Sequence, residues 1–245
     1  MTPTARDYYA DPEHAAGFEG ERFFGKFGRL LLEHDLRLFL GSRGDVIPAG
    51  ARILDAGAGT GRLTLPLCQR VPPLSVTALD FSEAMLDQLR AKCANLPNPP
   101  QIIHADITQT GLPSRAFHAV LSARVLMHLP DWRAGLAELC RLSADFLLFD
   151  FPPAPSLGAW LAKMPALQKE ERHAYLRLPH IKAELARHGF APVAIRKSFV
   201  LPIRLHLKLN APGVSRLVEG GLALLGLRTW LGAPVFVLAR RSRMD

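Results

Sequence analysis

Between Arg52 and Gly61 the chain reads Arg-Ile-Leu-Asp-Ala-Gly-Ala-Gly-Thr-Gly, and no other stretch narrows the possible folds as far. Apolar residues running into Asp55 and then Gly57, Gly59 and Gly61 describe a buried strand, a turn too tight for Cβ atoms, and a helix after it. Backbone N–H groups in such a turn can approach a ligand closely, and the N-terminus of the following helix favours negative charge. A dinucleotide fingerprint needs its third glycine at position 62, which is Arg62, so a pyrophosphate is the poorer match. Asp55, two residues before the first glycine, suits a positively charged group such as an amino-acid ammonium. A plain tight connection would use the same residues.

The neighbouring pattern bears on that choice. Apolar runs predict strands from about residue 52, over 75–79, 101–104, 117–122 and 145–149, then one within 192–202 and a last one over 235–239. Helices are expected over 64–69, 82–93, from 130–132 to about 142, and over 181–187, with helix-like character at Val125 to Leu129. Gly189 is read as a helix stop. Strands alternating with helices describe an α/β fold, a doubly wound and mainly parallel seven-stranded sheet with helices on both faces. Asp80 then stands at a strand end, 19 residues beyond Gly61, where an acid grips a ribose diol; a lone acid there would also serve as a cap for the helix opening at Ser82-Glu83, but its spacing from the glycine loop favours the ribose. Asp106 is a third acid at a third strand end.

Four segments follow from this reading. Residues 1–45 form a helical cap with Phe18, Phe23, Phe24 and Phe27 in helical spacing, over the sheet edge or the ligand mouth, and Tyr8 and Tyr9 precede it as candidate lid residues. Residues 46–150 are the ligand-binding core. Residues 151–178, interrupted by Pro152, Pro153, Pro155 and Pro165, are a lid or linker, and Asp150-Phe151-Pro152-Pro153 reads as a turn. Residues 179–245 complete the core around an insertion at 204–232 rich in leucine and basic residues, either core helix under the sheet edge or an interfacial surface for lipid or acyl groups.

Charge divides the chain unevenly: 15 basic against 17 acidic residues in 1–150, and 15 against 5 in 151–245. An anionic partner would meet the second part first. Cys68, Cys93 and Cys140 show no ligand spacing, and the histidines lack it too, so neither a disulfide framework nor a metal is expected. No run of about 18 uncharged apolar residues occurs, and Met1 to Asp11 lack an apolar signal core, so a cytoplasmic protein is expected, at most peripheral to a membrane.

With the glycine loop, Asp80 and Asp106 in place, the chain resembles the class I S-adenosylmethionine-dependent methyltransferases of Rossmann-like fold, closest to the small-molecule (type 11) subgroup with the first motif Leu-Asp-Ala-Gly-Ala-Gly-Thr-Gly. The resemblance covers residues 50–150 well and 179–240 loosely. It implies that Asp55, Gly57, Gly59 and Gly61 surround the methionine part of S-adenosylmethionine and that Asp80 binds the ribose hydroxyls. Phe81 would stack on adenine, Asp106 would meet the adenine amino group, Ile107 would line the ring's face, and Ala123 would approach the sulfonium. His118 departs from the family's usual acid, and the motif of DNA-base amino methyltransferases is absent after the fourth strand.

Methyl transfer from a sulfonium is an in-line displacement, so the protein mainly orients the acceptor and excludes water. His128, beyond the fourth strand, is the candidate base, since imidazole ordinarily titrates near neutral pH. Arg124 at the same edge either holds an acidic acceptor group or pairs with an acid. The expected acceptor is small or lipid-like. The alternative is a nucleic-acid-binding or RNA-modifying enzyme using the basic C-terminal segment, although that segment is rich in leucine and poor in aromatics.

Overall fold

The computed structural model describes residues 8–9, 11–13, 15, 17, 25–40, 47–70, 73–162 and 174–242, with backbone alone at 39 and 40. Seven strands, β1 (Arg52–Ala56), β2 (Ser75–Asp80), β3 (Gln101–His104), β4 (Phe117–Ser122), β5 (Ser143–Phe151), β6 (Phe190–Phe199) and β7 (Ala233–Arg241), form one sheet in the order β3-β2-β1-β4-β5-β7-β6. The first five run parallel, and β7 lies antiparallel between β5 and β6. The sheet is doubly wound, mainly parallel α/β, with one antiparallel strand.

Helices cover both of its faces: α1 (Gly25–Leu40), α2 (Thr64–Cys68), α3 (Glu83–Cys93), α4 (Trp132–Leu142), α5 (Leu157–Leu161), α6 (Leu178–Arg187), α7 (Ile203–Leu209), α8 (Pro212–Leu224) and α9 (Leu227–Leu231). Adjacent strand residues point to opposite faces, so a strand covered on both sides must be apolar throughout. Ile53 and Leu54 show this, both being fully buried. Leu54, Val120, Leu147 and Phe149 pack with Leu136 and Leu139 of α4 and with Ile181 and Leu185 of α6. On the other face Ile53, Ala119, Leu121 and Leu148 pack with Leu67 of α2 and Leu36 of α1.

Polar residues set the helix starts. Ser82 caps α3 by accepting from the Met85 N–H at 3.2 Å, and Asp131 caps α4 by accepting from the Arg133 and Ala134 N–H groups. α6 opens with Pro179 in its first turn, and the backbone turns left-handed at Gly189, φ +73°, just past its end.

Several boundaries depart from the sequence expectation. The fifth strand continues through Asp150 and Phe151, which were read as a turn, because both residues pair with β7. The helix-like stretch after β4 is a single 3-10 turn, Leu126–His128. The loosened segment 151–178 contains α5, and Leu176 returns to bridge Pro153; residues 163–173 of that lid or linker lie outside the described residues. Within the N-terminal cap, Phe18, Phe23 and Phe24 also lie outside them. No helix among the described residues is long and apolar enough to cross a membrane.

Candidate active site

The carboxyl ends of β1, β2, β4 and β5 lie along one edge of the sheet, and the glycine loop leaves β1 there. The Gly57 and Ala58 N–H groups donate to the Leu79 carbonyl at 2.7 and 3.0 Å, which ties the loop to the end of β2. Gly57, Gly59 and Gly61 have φ of +81°, +54° and +95°, conformations that favour glycine. Their surroundings differ. A Cβ on Gly57 would stand 2.2 Å from Cγ2 of Val125, and one on Gly61 would stand 2.4 Å from Cδ1 of Leu89 on α3. A Cβ on Gly59 would meet nothing within 4 Å. Two of the glycines therefore permit close packing, and only the middle one faces open space.

Asp55 and Asp80 flank that loop, and Asp106 lies two residues beyond the end of β3, the strand beside β2. Asp55 is buried and accepts the Thr64 hydroxyl at 2.7 Å across the turn. Burial pushes its carboxyl up to about 6 against the Thr64 hydrogen bond, and the nearby Asp80 charge adds to the rise. Asp80 is buried too; its Oδ2 accepts from the Gly59 N–H at 2.8 Å and its Oδ1 from the Ser82 N–H at 2.9 Å. Its pKa is raised, mainly by burial, against the backbone N–H groups of Ser82, Gly59 and Phe81. A carboxylate offers about four lone-pair positions, so these two bonds leave acceptor capacity at Asp80. Asp106 closes its own turn: Oδ1 accepts from the Thr108 N–H and hydroxyl at 2.8 and 2.7 Å. Ile107 beside it is buried, and the Phe81 carbonyl accepts from the His104 Nε2 at 2.7 Å.

The end of β4 carries a charge network that the sequence reading did not assemble. Arg124 adopts φ +63°, and its N–H donates to Oδ1 of Asp150 at the end of β5. Its guanidinium lies 3.2 Å from Oδ2 of Asp150 and 3.1 Å from Oδ2 of Asp35 on α1. Arg62, the residue in the missing-glycine position, pairs with the same Asp35. Burial raises Asp150 to about 6 against the opposing Arg124 charge, and burial lowers Arg62 against the pull of Asp35. Two cations and two carboxylates thus balance in a space where either charge alone would be costly. Of the two readings open for Arg124, pairing with acids describes what its side chain does here.

Signals for the missed residues existed in part. Asp150 ends a strand as Asp55 and Asp80 do, but the prolines after it suggested a turn. Asp35 continues the buried stripe of Phe27 and Leu31 at helical spacing, and a carboxylate in such a stripe needs a cation.

Tyr9 spans the two strand ends nearest the loop. Its carbonyl accepts the Ser82 hydroxyl at 2.6 Å, its phenol oxygen lies 3.3 Å from Nε2 of His128, and the two rings meet edge-on at 5.2 Å. Tyr8 packs edge-on against Tyr9, also at 5.2 Å. The 3-10 turn holding His128 is tied down from the other side by the Ala174 N–H, which donates to the Met127 carbonyl at 2.9 Å.

Residues 53–145 match the family described as a methyltransferase domain. This segment is similar to a methyltransferase domain. Among curated relatives of the domain, a malonyl-(acyl-carrier protein) O-methyltransferase of Geobacter sulfurreducens is 32% identical over 156 residues, 59% of this chain and 57% of that one. A demethylmenaquinone methyltransferase of Thermus thermophilus is 34% identical over 110 residues, 44% of this chain and 50% of that one. The chain therefore spans about half the length of the curated relatives it matches.

Among solved structures, the magnesium protoporphyrin IX methyltransferase of Synechocystis PCC 6803 with bound SAH superposes with a TM-score of 0.67 at 19% identity, over 97% of each chain. A 4+2 cyclase superposes nearly as well, with a TM-score of 0.65 at 15% identity over 99% of this chain and 98% of that one. At such identities the likeness is one of fold. A methyltransferase domain fold by itself does not name a reaction.

Proposed function

We propose that the protein is an S-adenosylmethionine-dependent methyltransferase acting on a small-molecule or lipid-like acceptor. One observation carries the reading: Asp80, its carboxylate held by the Gly59 and Ser82 N–H groups with acceptor capacity remaining, stands beside the one loop glycine whose missing Cβ faces open space. That combination fits a ribose diol beside a close-approaching ligand chain. In this reading Asp80 holds the ribose, Asp55, Gly57, Gly59 and Gly61 surround the methionine end, Phe81, Asp106 and Ile107 line the adenine, and Ala123 borders the sulfonium. The cofactor supplies a methyl group already activated on a positively charged sulfur.

The chain's own residues then orient the acceptor and keep water out. Tyr9, joined to Ser82 on one side and His128 on the other, closes the mouth between β2 and β4. His128 receives a proton where the acceptor must lose one, and Tyr9 fixes its ring. Arg124 and Arg62 act as positioning residues, holding α1 against the site through Asp35. The curated relatives named for malonyl-carrier-protein and demethylmenaquinone methylation support acceptors that are not nucleic acid. The nucleic-acid alternative gains no support from the basic segment, whose outer face presents aliphatic side chains.

Calorimetric titration with S-adenosylhomocysteine tests the proposal. The wild type should bind with a measurable heat, and Asp80→Ala should weaken affinity by about ten-fold or more, the worth of a hydrogen bond to a charged group. A folded protein that gives no heat, or a variant that binds as the wild type does, overturns it.

A further inference from the structure

The chain leaves β6 at Phe199 and re-enters β7 at Ala233, and these two residues pair with each other. Because β6 runs in the direction of β5 and Val235 pairs with Phe151, the helices between them stand at the sheet edge that carries the glycine loop. α8 is built with its polarity reversed. Ser215 is buried and Glu219 is turned inward, whereas Val214, Leu217, Val218 and Leu224, spaced as one helical stripe, face solvent. Leu217, Leu224 and the adjoining Leu225 are 78%, 91% and 75% exposed, and Trp230 on α9 is 75% exposed. Leu205 and Leu209, one turn apart on α7, are each 50% exposed.

The inward polar residues explain how this orientation is fixed. His206 of α7 is buried, with Nδ1 2.9 Å from the Ser215 hydroxyl and Nε2 2.9 Å from Oε1 of Glu219. Glu219 also accepts from the Val200 and Leu201 N–H groups at 2.7 and 2.9 Å, anchoring α8 to the end of β6. Asn210, in the left-handed conformation at the end of α7, accepts from the Phe27 N–H, and the Phe27 ring stacks on His206 at 4.9 Å. Such a lock leaves the leucines outside by construction. Rotating α8 to bury them would expose Ser215 and Glu219 and break their bonds to His206 and to the Val200 and Leu201 N–H groups.

We infer that α7 to α9 form a docking face for an anionic phospholipid surface. The distribution of charge selects this occupant. Between residues 203 and 231 the basic residues Arg204, Lys208, Arg216 and Arg228 are all exposed, and the one acid, Glu219, is withdrawn beneath the helix. An apolar stripe with an exposed tryptophan, flanked by cations with no exposed acid, matches the interfacial region of such a surface. The face lies at the mouth edge and is joined to it: α1, held to α7 through Phe27, carries Asp35 to Arg62 and Arg124. Docking does not depend on the proposed reaction.

Flotation of the full chain with vesicles tests this. Binding is expected to vesicles of phosphatidylcholine containing about a third phosphatidylglycerol, and only weakly to phosphatidylcholine alone. Arg216→Gln with Arg228→Gln should reduce the anionic preference by about five-fold per charge. Leu217→Ser with Leu224→Ser should abolish flotation on both compositions. The S-adenosylhomocysteine titration and the thermal midpoint, measured on the same variants, should stay at the wild-type values, so that a loss of flotation reads the face and not the fold or the cofactor site. Absence of wild-type flotation on anionic vesicles, or undiminished flotation of the leucine variant, overturns the inference. So does a wild-type dimer that the leucine variant converts to monomer with no vesicle binding by either, since the face would then pair with a second copy.

Discussion

α3 and α8 are helices of similar length with opposite arrangements. α3 turns Met85, Leu86, Leu89 and Cys93 onto the sheet and leaves its charges in water, while α8 turns Ser215 and Glu219 inward and leaves its leucines in water. Both show an apolar stripe at helical period. The stripe reports that something apolar should cover that face, and the covering partner is decided by the polar residues opposite. On α3 those residues are Glu83, Asp87 and Arg90, and Arg90 pairs with both acids at the surface. On α8 they bond to His206 and to two backbone N–H groups at the end of β6, and so hold the helix the other way round.

Leu89→Ala should destabilise the protein by about 3 kcal/mol, because it opens a cavity beneath α3 where Leu89 meets the Gly61 turn. Urea unfolding measures it, and a cost under about 1 kcal/mol would mean that α3 is not core.

Buried acids at the sheet edge provide the next test. Asp55, whose folded pKa is raised from 3.8 to about 6, is protonated in both states at low pH. As pH rises from 3.8 through about 6 the unfolded chain ionises first, so stability is lost across that window and the loss is complete above it. Asp150 adds a loss of the same sign. Asp55→Asn should therefore gain on the wild type between those pH values, by on the order of 3 kcal/mol, in unfolding curves taken at unit steps of pH. A difference that does not change with pH would contradict the burial of this carboxylate.

Glu219→Ala should cost about 2 kcal/mol despite its place on a surface helix, since it strands two backbone donors and His206. Leu224→Ser, on the same helix, should alter stability by less than about 0.5 kcal/mol. Equal costs for these two would remove the distinction between the locked and the exposed sides of α8.

The parallel half of the fold was legible because a strand buried on both faces writes a continuous apolar run, and each run here ends in a polar residue at the ligand edge. β3 and β4 fall on the predicted residues, and β1 and β2 agree at their starts. β5 was cut short because Asp150 interrupts its run. The antiparallel strands were harder: β6 begins at Phe190, and Pro192, which suggested a start, sits where the pairing with β7 shifts register. In the candidate site the glycine loop, Asp55, Asp80 and Asp106 were readable from spacing within one unit of the chain. The Asp35, Arg62, Arg124 and Asp150 network was not, because its members come from four separate elements and only the assembled sheet brings them together. Arg62 entered the sequence argument merely as the residue that was not glycine.

Composition does not decide between a buried and an interfacial reading of the insertion at 204–232. Its leucines suit either. The deciding residues are His206, Ser215 and Glu219, whose mutual bonds depend on how α7 and α8 cross.

The central claim is that the edge of the sheet at Asp80 is an adenosyl site, and a crystal structure of the protein grown with S-adenosylhomocysteine addresses it most directly. The account predicts the ribose hydroxyls within hydrogen-bonding distance of the Asp80 carboxylate, with the adenine beside Asp106 and Ile107 and the amino-acid end along Gly57 to Gly61. Density for the ligand anywhere else, or a glycine loop left empty at saturating ligand, would contradict it.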